Sequence, residues 1–434
     1  MQMKIFLDSV GCRLNQSEIE KLAGQFASAG HLIVDDAGQA DIVIINTCAV
    51  TSAASSDSRQ KIRQAARRGA ARVILTGCWA TIDLQQAAWL PSVDQVFPNS
   101  KKDLIFSQLT NTHLPADLNL SPVRVSLPGK HKRTRAFIKV QDGCDQVCSY
   151  CITRIARGRS RSCRPEAIIA DVQAAIATGV KEVVLTGSQL GAWGRDLNPS
   201  LKLRDLLIKI FTETSIPRLR LSSIEPWEID HQFLNLFENP RLCHHLHLPM
   251  QSGSSAVLKR MQRPMSPDRF GNLIKSIKKV DENIAITTDL IVGFPGETEQ
   301  EFAETVELVR ESHCAGGHVF SFSPRPQTLA GKFSGQVSPL VKKERSRILR
   351  GILADSALHF HQEQKGHLHQ VLWEKSNSVE ENHFELEGLS NNYLRIRAEA
   401  DADLWNCIST VRLVDVRDGI LSGKIIEVSC NHAA

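Results

Sequence analysis

Three thiols are crowded into one short stretch, "GCDQVCSYC", where Cys144, Cys148 and Cys151 are separated by three and then two residues. The chain holds eleven cysteines. Its first residues, "MQMKIFLDSV", lack the long apolar core of a secretory leader, so the expected compartment is the reducing cytoplasm. No apolar run is long enough to cross a bilayer, which leaves a membrane out of the expected partners. In that setting clustered thiols read as metal or redox ligands, and an odd count argues against complete pairing. Zinc normally takes four ligands. Cys163 in "RSCRP" could complete such a set, although the intervening "ARGRSRS" reads as a basic loop facing a substrate. A four-iron cluster held by three thiolates leaves one iron with an open position, able to chelate a small molecule and pass it an electron.

Three further cysteines each lie just past a strand-like run: Cys12 in "VGCRLNQSE", Cys48 in "NTCAV" and Cys78 in "LTGCWA". The runs "MKIFLDSV", "ADIVIINT" and "ARVILTG" alternate with the amphipathic "NQSEIEKLAGQFASAG" and "SRQKIRQAARRG". That order predicts a doubly wound parallel sheet over residues 1–120. Open α/β sheets bind ligands beyond the carboxyl ends of their strands, so the three thiols either converge on one site or are buried structural thiols. Asn15, with Glu18 three residues on, matches a capping box for the first helix, whose apolar face takes Ile19, Leu22 and Phe26.

After a Pro-rich linker at 113–132, six strand candidates from "AFIKV" to "GGHVFSFS" alternate with helical segments over residues 130–360. Six βα units predict a (β/α) barrel or partial barrel with its chemistry at the C-terminal strand ends, and the Cys144 loop directly follows the first strand. Residues 365–430 change to short alternating segments such as "NYLRIRAE", with Asp418 and Gly419 as a hairpin turn. These predict a small antiparallel β-barrel, an architecture that often binds oligonucleotides. In "CHHLHLPM" alternation puts His245 and His247 on one strand face and His244 on the other, which suits core and cavity positions better than a metal site. Cys243, Cys314, Cys407 and Cys430 read as inert thiols.

Hydrophobic residues make up 42% and charged residues 23%, a composition that buries real cores and excludes a disordered chain. The net charge of +5 is unevenly spread. Residues 130–164 carry ten Lys or Arg against two acids, and residues 58–72, "SRQKIRQAARRGAAR", carry six basic residues and no acid. Such stripes are either solvated faces or polyanion contacts. Arg157, Arg159 and Arg161 are the candidates for gripping phosphates, with Arg63, Arg67 and Arg68 adding to the same surface.

The C-x3-C-x2-C spacing of Cys144, Cys148 and Cys151, with Tyr150 just before the last cysteine, resembles the hallmark of the radical S-adenosylmethionine (SAM) superfamily. That resemblance implies a SAM molecule bound to the open iron and cleaved reductively to a 5′-deoxyadenosyl radical. With Cys12, Cys48 and Cys78 in a separate N-terminal domain and a terminal barrel resembling an RNA-binding TRAM domain, nearly the whole chain resembles the radical SAM methylthiotransferases. Segments such as "LTGSQLGAWG", "HLPMQSGSSAVLKRMQR" and "LIVGFPGETEQEF" are similar to that family's barrel. "VGCRLNQSE" and "IKVQDGC" look most like the branch that acts on carbon 2 of N6-threonylcarbamoyladenosine, next to the anticodon of tRNA.

The resemblance implies two [4Fe-4S] clusters, each on three cysteines. One, on Cys144, Cys148 and Cys151, would generate the radical; the other, on Cys12, Cys48 and Cys78, would supply a sulfur methylated by another SAM molecule, both facing a shared cavity. It also implies an electron donor of the flavodoxin or ferredoxin type and a sulfur donor. Gly187, Ser223, Glu225 and Gln251, at or beyond strand ends, and Tyr150 are the expected SAM contacts: glycine admits close backbone approach, and polar groups can bond ribose or methionine atoms. Ordinary turn residues fill such positions too. One departure is visible: the family usually has a proline where Thr153 and Arg154 stand, which bears on loop shape and substrate contacts. Other readings keep the chemistry but change the target to N6-isopentenyladenosine or a ribosomal-protein aspartate, or make the chain a non-catalytic iron-sulfur RNA-binding or redox-sensing protein. The open iron favours an enzyme, since electron carriers generally use four ligands per cluster.

Overall fold

The computed structural model describes residues 2–69, 71–112, 134–380, 382–417 and 420–429; the linker at 113–132, Asp418, Gly419 and Cys430 lie outside them. The chain divides into two compact units, one of Met1–Val147, Cys151–Gly179 and Leu185–Ser215, the other of Cys148–Tyr150, Val180–Val184 and Ile216–Ala434.

In the first unit, β1 (Lys4–Ser9), β2 (Leu32–Val34), β3 (Ile42–Thr47), β4 (Val73–Gly77) and β5 (Val93–Phe97) form a sheet in the order β2-β1-β3-β4-β5, all parallel. β3 is buried along its whole length, so it carries apolar side chains on both faces. Ile42 and Ile44 join Ile5, Leu7 and Phe26 in one core, while Val43 and Ile45 join Val73, Leu75 and Ile62 in the other. Helices α1 (Arg13–Ser28), α2 (Ser52–Arg67) and α3 (Cys78–Ile82) follow β1, β3 and β4. This strand order reverses between β1 and β3, and the crevice at such a reversal is where doubly wound sheets bind ligands.

The same unit contains β6 (Arg135–Lys139), then β7 (Gln141–Asp142) paired antiparallel with β8 (Arg161–Ser162). Between β7 and β8 runs the cysteine loop, followed by the short α4 (Thr153–Arg157).

Along the chain, β6, β9 (Glu182–Thr186), β10 (Arg218–Leu221), β11 (His245–His247), β12 (Ala285–Val292) and β13 (Gly316–Ser321) alternate with helices, as the six βα units required. Within the second unit β11, β12 and β13 are parallel neighbours. His245 and His247 both hydrogen-bond Thr287 Oγ1, each at 2.9 Å, which puts them on one face as alternation requires. The chain ends in a closed barrel, β14 (Leu368–Glu380), β15 (His383–Ser390), β16 (Arg395–Ala400), β17 (Ile408–Arg417) and β18 (Ile420–Ser429), ordered β14-β15-β16-β18-β17 around Trp373 and Ile396. Four of its five pairings are antiparallel; β16 and β18 run parallel. Among the described residues no helix is long and apolar enough to cross a membrane.

The capping box does not form. Cys12, not Asn15, is the N-cap of α1, and Asn15 and Glu18 lie inside the helix with buried side chains. Both are held by partners far along the chain, which supply more hydrogen bonds than the helix end would.

Candidate metal centres

The sheet sets the first group of cysteines. Cys12 follows β1 as the N-cap of α1, Cys48 follows β3, and Cys78 opens α3 directly after β4, so all three stand at carboxyl ends of adjacent strands. Gly11 has φ +92°, and a Cβ there would collide with Cys48 Sγ, so glycine is what lets the Cys12 loop lie against the Cys48 thiol. The thiols feel one another: Cys12 and Cys78 each raise the pKa of Cys48, and Cys78 raises that of Cys12. Burial pushes Cys48 up to about 11 and also raises Cys12. Cys12 is nevertheless solvent-accessible, so the three-thiol site is open on its side. Asn99 Nδ2 approaches Cys78 Sγ at 3.7 Å and donates to Ala156 O at 2.8 Å.

Beneath these thiols lies a buried ionic network. Arg157 Nη1 contacts Glu18 Oε1 and Asp142 Oδ1, both at 2.9 Å, and Nη2 donates to Asn15 Oδ1 at 2.6 Å. Lys102 Nζ reaches Glu18 Oε2 at 2.5 Å, and Lys139 Nζ reaches Glu18 Oε1 at 3.2 Å and Asp142 Oδ2 at 3.5 Å. Burial alone would raise the Glu18 carboxyl, but Lys102, Arg157 and Lys139 together hold it well below the usual range. Asn15 also ties the cysteine loops, donating to Val10 O at 2.8 Å and Thr47 O at 3.0 Å.

This corrects the expectation for Arg157. Its residue is 5% exposed and its guanidinium is committed to Glu18, Asp142 and Asn15, so it is not presented to phosphate at a surface. Arg159, Arg161, Arg63, Arg67 and Arg68 are exposed.

The second cysteine loop is ordered by a pair of glutamines. Gln141 Nε2 donates to Asp142 O, Gly143 O and Ser160 Oγ at 2.7–3.0 Å, and its Oε1 accepts from Gln189 N at 2.8 Å. Gln189 Oε1 in turn meets Cys144 Sγ and Asp145 N, each at 3.2 Å. Gly143, at φ +73°, admits no side chain because a Cβ would strike Arg159 O. Gly187 packs against Gln141, whose Oε1 would lie 2.9 Å from an added Cβ.

In the second unit, Arg263 gathers several expected SAM contacts. Its Nη2 donates to Glu225 Oε2 and Pro249 O, both at 2.6 Å, its Nη1 to Tyr150 OH at 3.4 Å, and its guanidinium lies 4.8 Å from the Trp227 ring centre. Gln251 has φ +74° and hydrogen-bonds through its backbone to Asp289 O and Ile291 N, each at 2.8 Å. Ser223 is exposed and bridges to His247. Arg263 was not foreseen; its signal lay in "KRMQRP", a basic residue between turn formers, which in sequence reads as surface.

Among the described residues no three His, Cys, Asp or Glu side chains close on a single ion. A four-iron cluster does not ask for that, since each thiolate binds a different iron and the ligands stand apart around a cube. Three thiols, a glycine cradle and a cationic floor therefore suit such a group better than a mononuclear zinc ion. Cys243 and Cys314 are buried thiols, the latter pushed up to about 12 by burial. Cys407, expected to be an inert thiol, is disulfide-bonded instead.

Residues 138–309 match the Radical SAM superfamily, and residues 4–98 match the family described as Uncharacterized protein family UPF0004. A structure of the radical S-adenosylmethionine methyltransferase TsrM from Kitasatospora setae has the same fold over 76% of this chain and 75% of that one, at a TM-score of 0.59 and 15% identity. The chain is 38% identical over 376 residues to the Threonylcarbamoyladenosine tRNA methylthiotransferase MtaB of Thermotoga maritima, covering 85% of this chain and 86% of that protein. It is 33% identical over 434 residues to the protein of the same name from Bacillus subtilis, covering 97% and 96%. The chain belongs to the radical SAM methylthiotransferase family.

Proposed function

We propose that the chain attaches a methylthio group to carbon 2 of N6-threonylcarbamoyladenosine next to the anticodon of tRNA. The observation that carries this reading is the placement of Cys12, Cys48 and Cys78 at the ends of three adjacent parallel strands, in a chain that also holds the Cys144, Cys148, Cys151 spacing. The relatives bearing the threonylcarbamoyladenosine name span most of the chain, which favours that substrate. Residues 1–120, 130–360 and 365–430 serve as the auxiliary-cluster, radical SAM and TRAM-like domains of a cytoplasmic enzyme supplied by an electron donor and a sulfur donor.

Each set of three cysteines holds one [4Fe-4S] cluster. When bound, the Cys144, Cys148, Cys151 cluster supplies the electron for cleaving SAM, and the other supplies the sulfur. The protein's own groups do the positioning. Gln189 and Gln141 fix the Cys144 loop, and Gly143 gives it the only backbone that fits beside Arg159. Arg263 orients Tyr150 and Glu225, which with Ser223 and Gln251 are the SAM contacts of the second unit, and Gly187 is the one expected in the first. Arg63, Arg67, Arg68, Arg159 and Arg161 meet tRNA phosphates.

The test is mass spectrometry of tRNA nucleosides from cells with and without the gene. Loss of 2-methylthio-N6-threonylcarbamoyladenosine alone is the expected result. An unchanged profile would overturn the tRNA reading and direct attention to a ribosomal-protein target.

A further inference from the structure

The network under the N-terminal cysteines places a buried guanidinium, that of Arg157, within electrostatic reach of the thiols. Arg157, Lys102 and Lys139 face Glu18 and Asp142 in direct ion pairs, and Asp103 acts on Lys139 as well. Side-chain exposure is 3% for Arg157, 10% for Lys102 and 4% for Glu18. Arg157 is the member whose field reaches Cys12, Cys48 and Cys78 together, since each of the three interacts with it electrostatically. An oxidised four-iron core of charge 2+ on three thiolates would carry one net negative charge, opposite in sign to that of Arg157.

The same short helix also touches the other cysteine loop. Arg157 contacts Asp142 Oδ1, and that oxygen accepts the Gly143 N–H at 2.8 Å. The next residue along, Gly158, accepts the Cys144 N–H on its carbonyl at 3.1 Å. One residue before, Ala156 O holds Asn99, which reaches Cys78. Residues 156–158 are thus hydrogen-bonded to the surroundings of Cys78 on one side and to Asp142, Gly143 and Cys144 on the other, all within the first unit.

We propose that Arg157 is a positioning residue of this enzyme: its buried charge balances the cluster on Cys12, Cys48 and Cys78 and sets that cluster's reduction potential, while its helix fixes the N-terminal cysteine site against the Cys144 loop. The inference rests on the two-cluster reading above. Reduction adds negative charge, which Arg157 stabilises and Glu18 opposes, so the two side chains act on the potential with opposite sign.

The experiment uses the full chain with Cys144, Cys148 and Cys151 all changed to Ala, so that only the N-terminal cluster is reconstituted. Iron content and an electron-paramagnetic-resonance redox titration are read for the Arg157 parent, Arg157→Gln, Arg157→Lys and Glu18→Gln. At the parent's midpoint, Arg157→Gln should lower the reduced-to-oxidised ratio at least tenfold, about 59 mV for one electron. Glu18→Gln, which is isosteric, should raise that ratio, and Arg157→Lys should stay closer to the parent than Arg157→Gln does. In the chain with all six cysteines, Arg157→Gln should raise the ratio of 5′-deoxyadenosine to methylthiolated product at least tenfold. Midpoints that move in the same direction in Arg157→Gln and Glu18→Gln, or that do not move, would overturn the proposal. If Arg157→Gln does not fold, the sign of the Glu18→Gln shift decides alone. A parent that binds no iron would instead overturn the two-cluster reading itself.

Discussion

Cys12 is the most accessible of the three N-terminal thiols, and its backbone already caps α1 without help from its side chain. Cys12→Ala therefore tests the proposed ligand without removing a side-chain hydrogen bond from the helix end. In the full enzyme it should abolish methylthiolation while leaving reductive cleavage of SAM to 5′-deoxyadenosine in place, read by chromatography of both products from one reaction. Retained methylthiolation would remove the sulfur-supplying role from that site. The placement of Cys12, Cys48 and Cys78 past strand ends was legible because a strand and the residue that follows it are both local features of the sequence. Arg157 was not legible. It sits in "ARGRSRS", a run indistinguishable from solvated charge, and it is buried by Glu18, which lies 139 residues away, and by Asp142. Asn15 and Glu18 misled for the complementary reason: a three-residue spacing fits a cap, but their partners are Thr47 O, Arg157 and Lys102, brought in by the tertiary fold.

At the scale of elements, β3 and β4 were readable because both their faces are covered and each opens on a continuous run of Val, Ile and Leu, while β1 shows itself by the alternate burial of Ile5 and Leu7. β2 and β5 were not, being a three-residue edge strand and a strand whose centre, Asp94 and Gln95, is exposed. The terminal barrel announced itself through alternation, as in Leu394, Ile396 and Ala398 inside with Arg395 and Arg397 outside. Its β14 contains a buried histidine, His369, whose pKa is lowered to about 4, chiefly by burial. The folded state therefore resists protonation that the unfolded chain accepts near pH 6.5. Stability is complete above that value, is lost as pH falls from 6.5 towards 4, and loses nothing further from this group below it. Between pH 7.5 and 5 the loss is about 2 kcal/mol. Urea unfolding of the full chain at both values should show that loss, and His369→Gln should show a smaller one. An identical pH dependence in the variant would assign the effect elsewhere.

For the whole molecule the question is which surface meets a polyanion. A concavity of about 920 Å³ on the barrel is lined by Glu385, Glu387, Glu399 and Asp401 as well as Arg397 and Lys424. On the strand beside it Arg395 is already engaged with Glu374 and Glu387. That balance gives no net attraction for phosphate. In the first unit, by contrast, Arg63 and Arg67 are exposed on α2, Arg68 follows at its C-terminal end with only a 3.8 Å contact to Asp36, and Arg159 and Arg161 are exposed after α4. Phosphate contacts release counterions, so the logarithm of the binding constant falls with the logarithm of salt by about 0.7 per contact on a single strand and about 0.9 on a duplex. Replacing Arg63, Arg67 and Arg68 together by Ala should reduce the magnitude of that slope for tRNA by about 2. Replacing Arg397 and Lys424 should leave it nearly unchanged, because each sits among carboxylates that already screen it. Filter binding of tRNA across a salt series reads both slopes. A parental slope in the triple arginine variant would remove α2 from the tRNA surface, and a loss confined to the barrel variant would transfer the phosphate grip to the C-terminal domain.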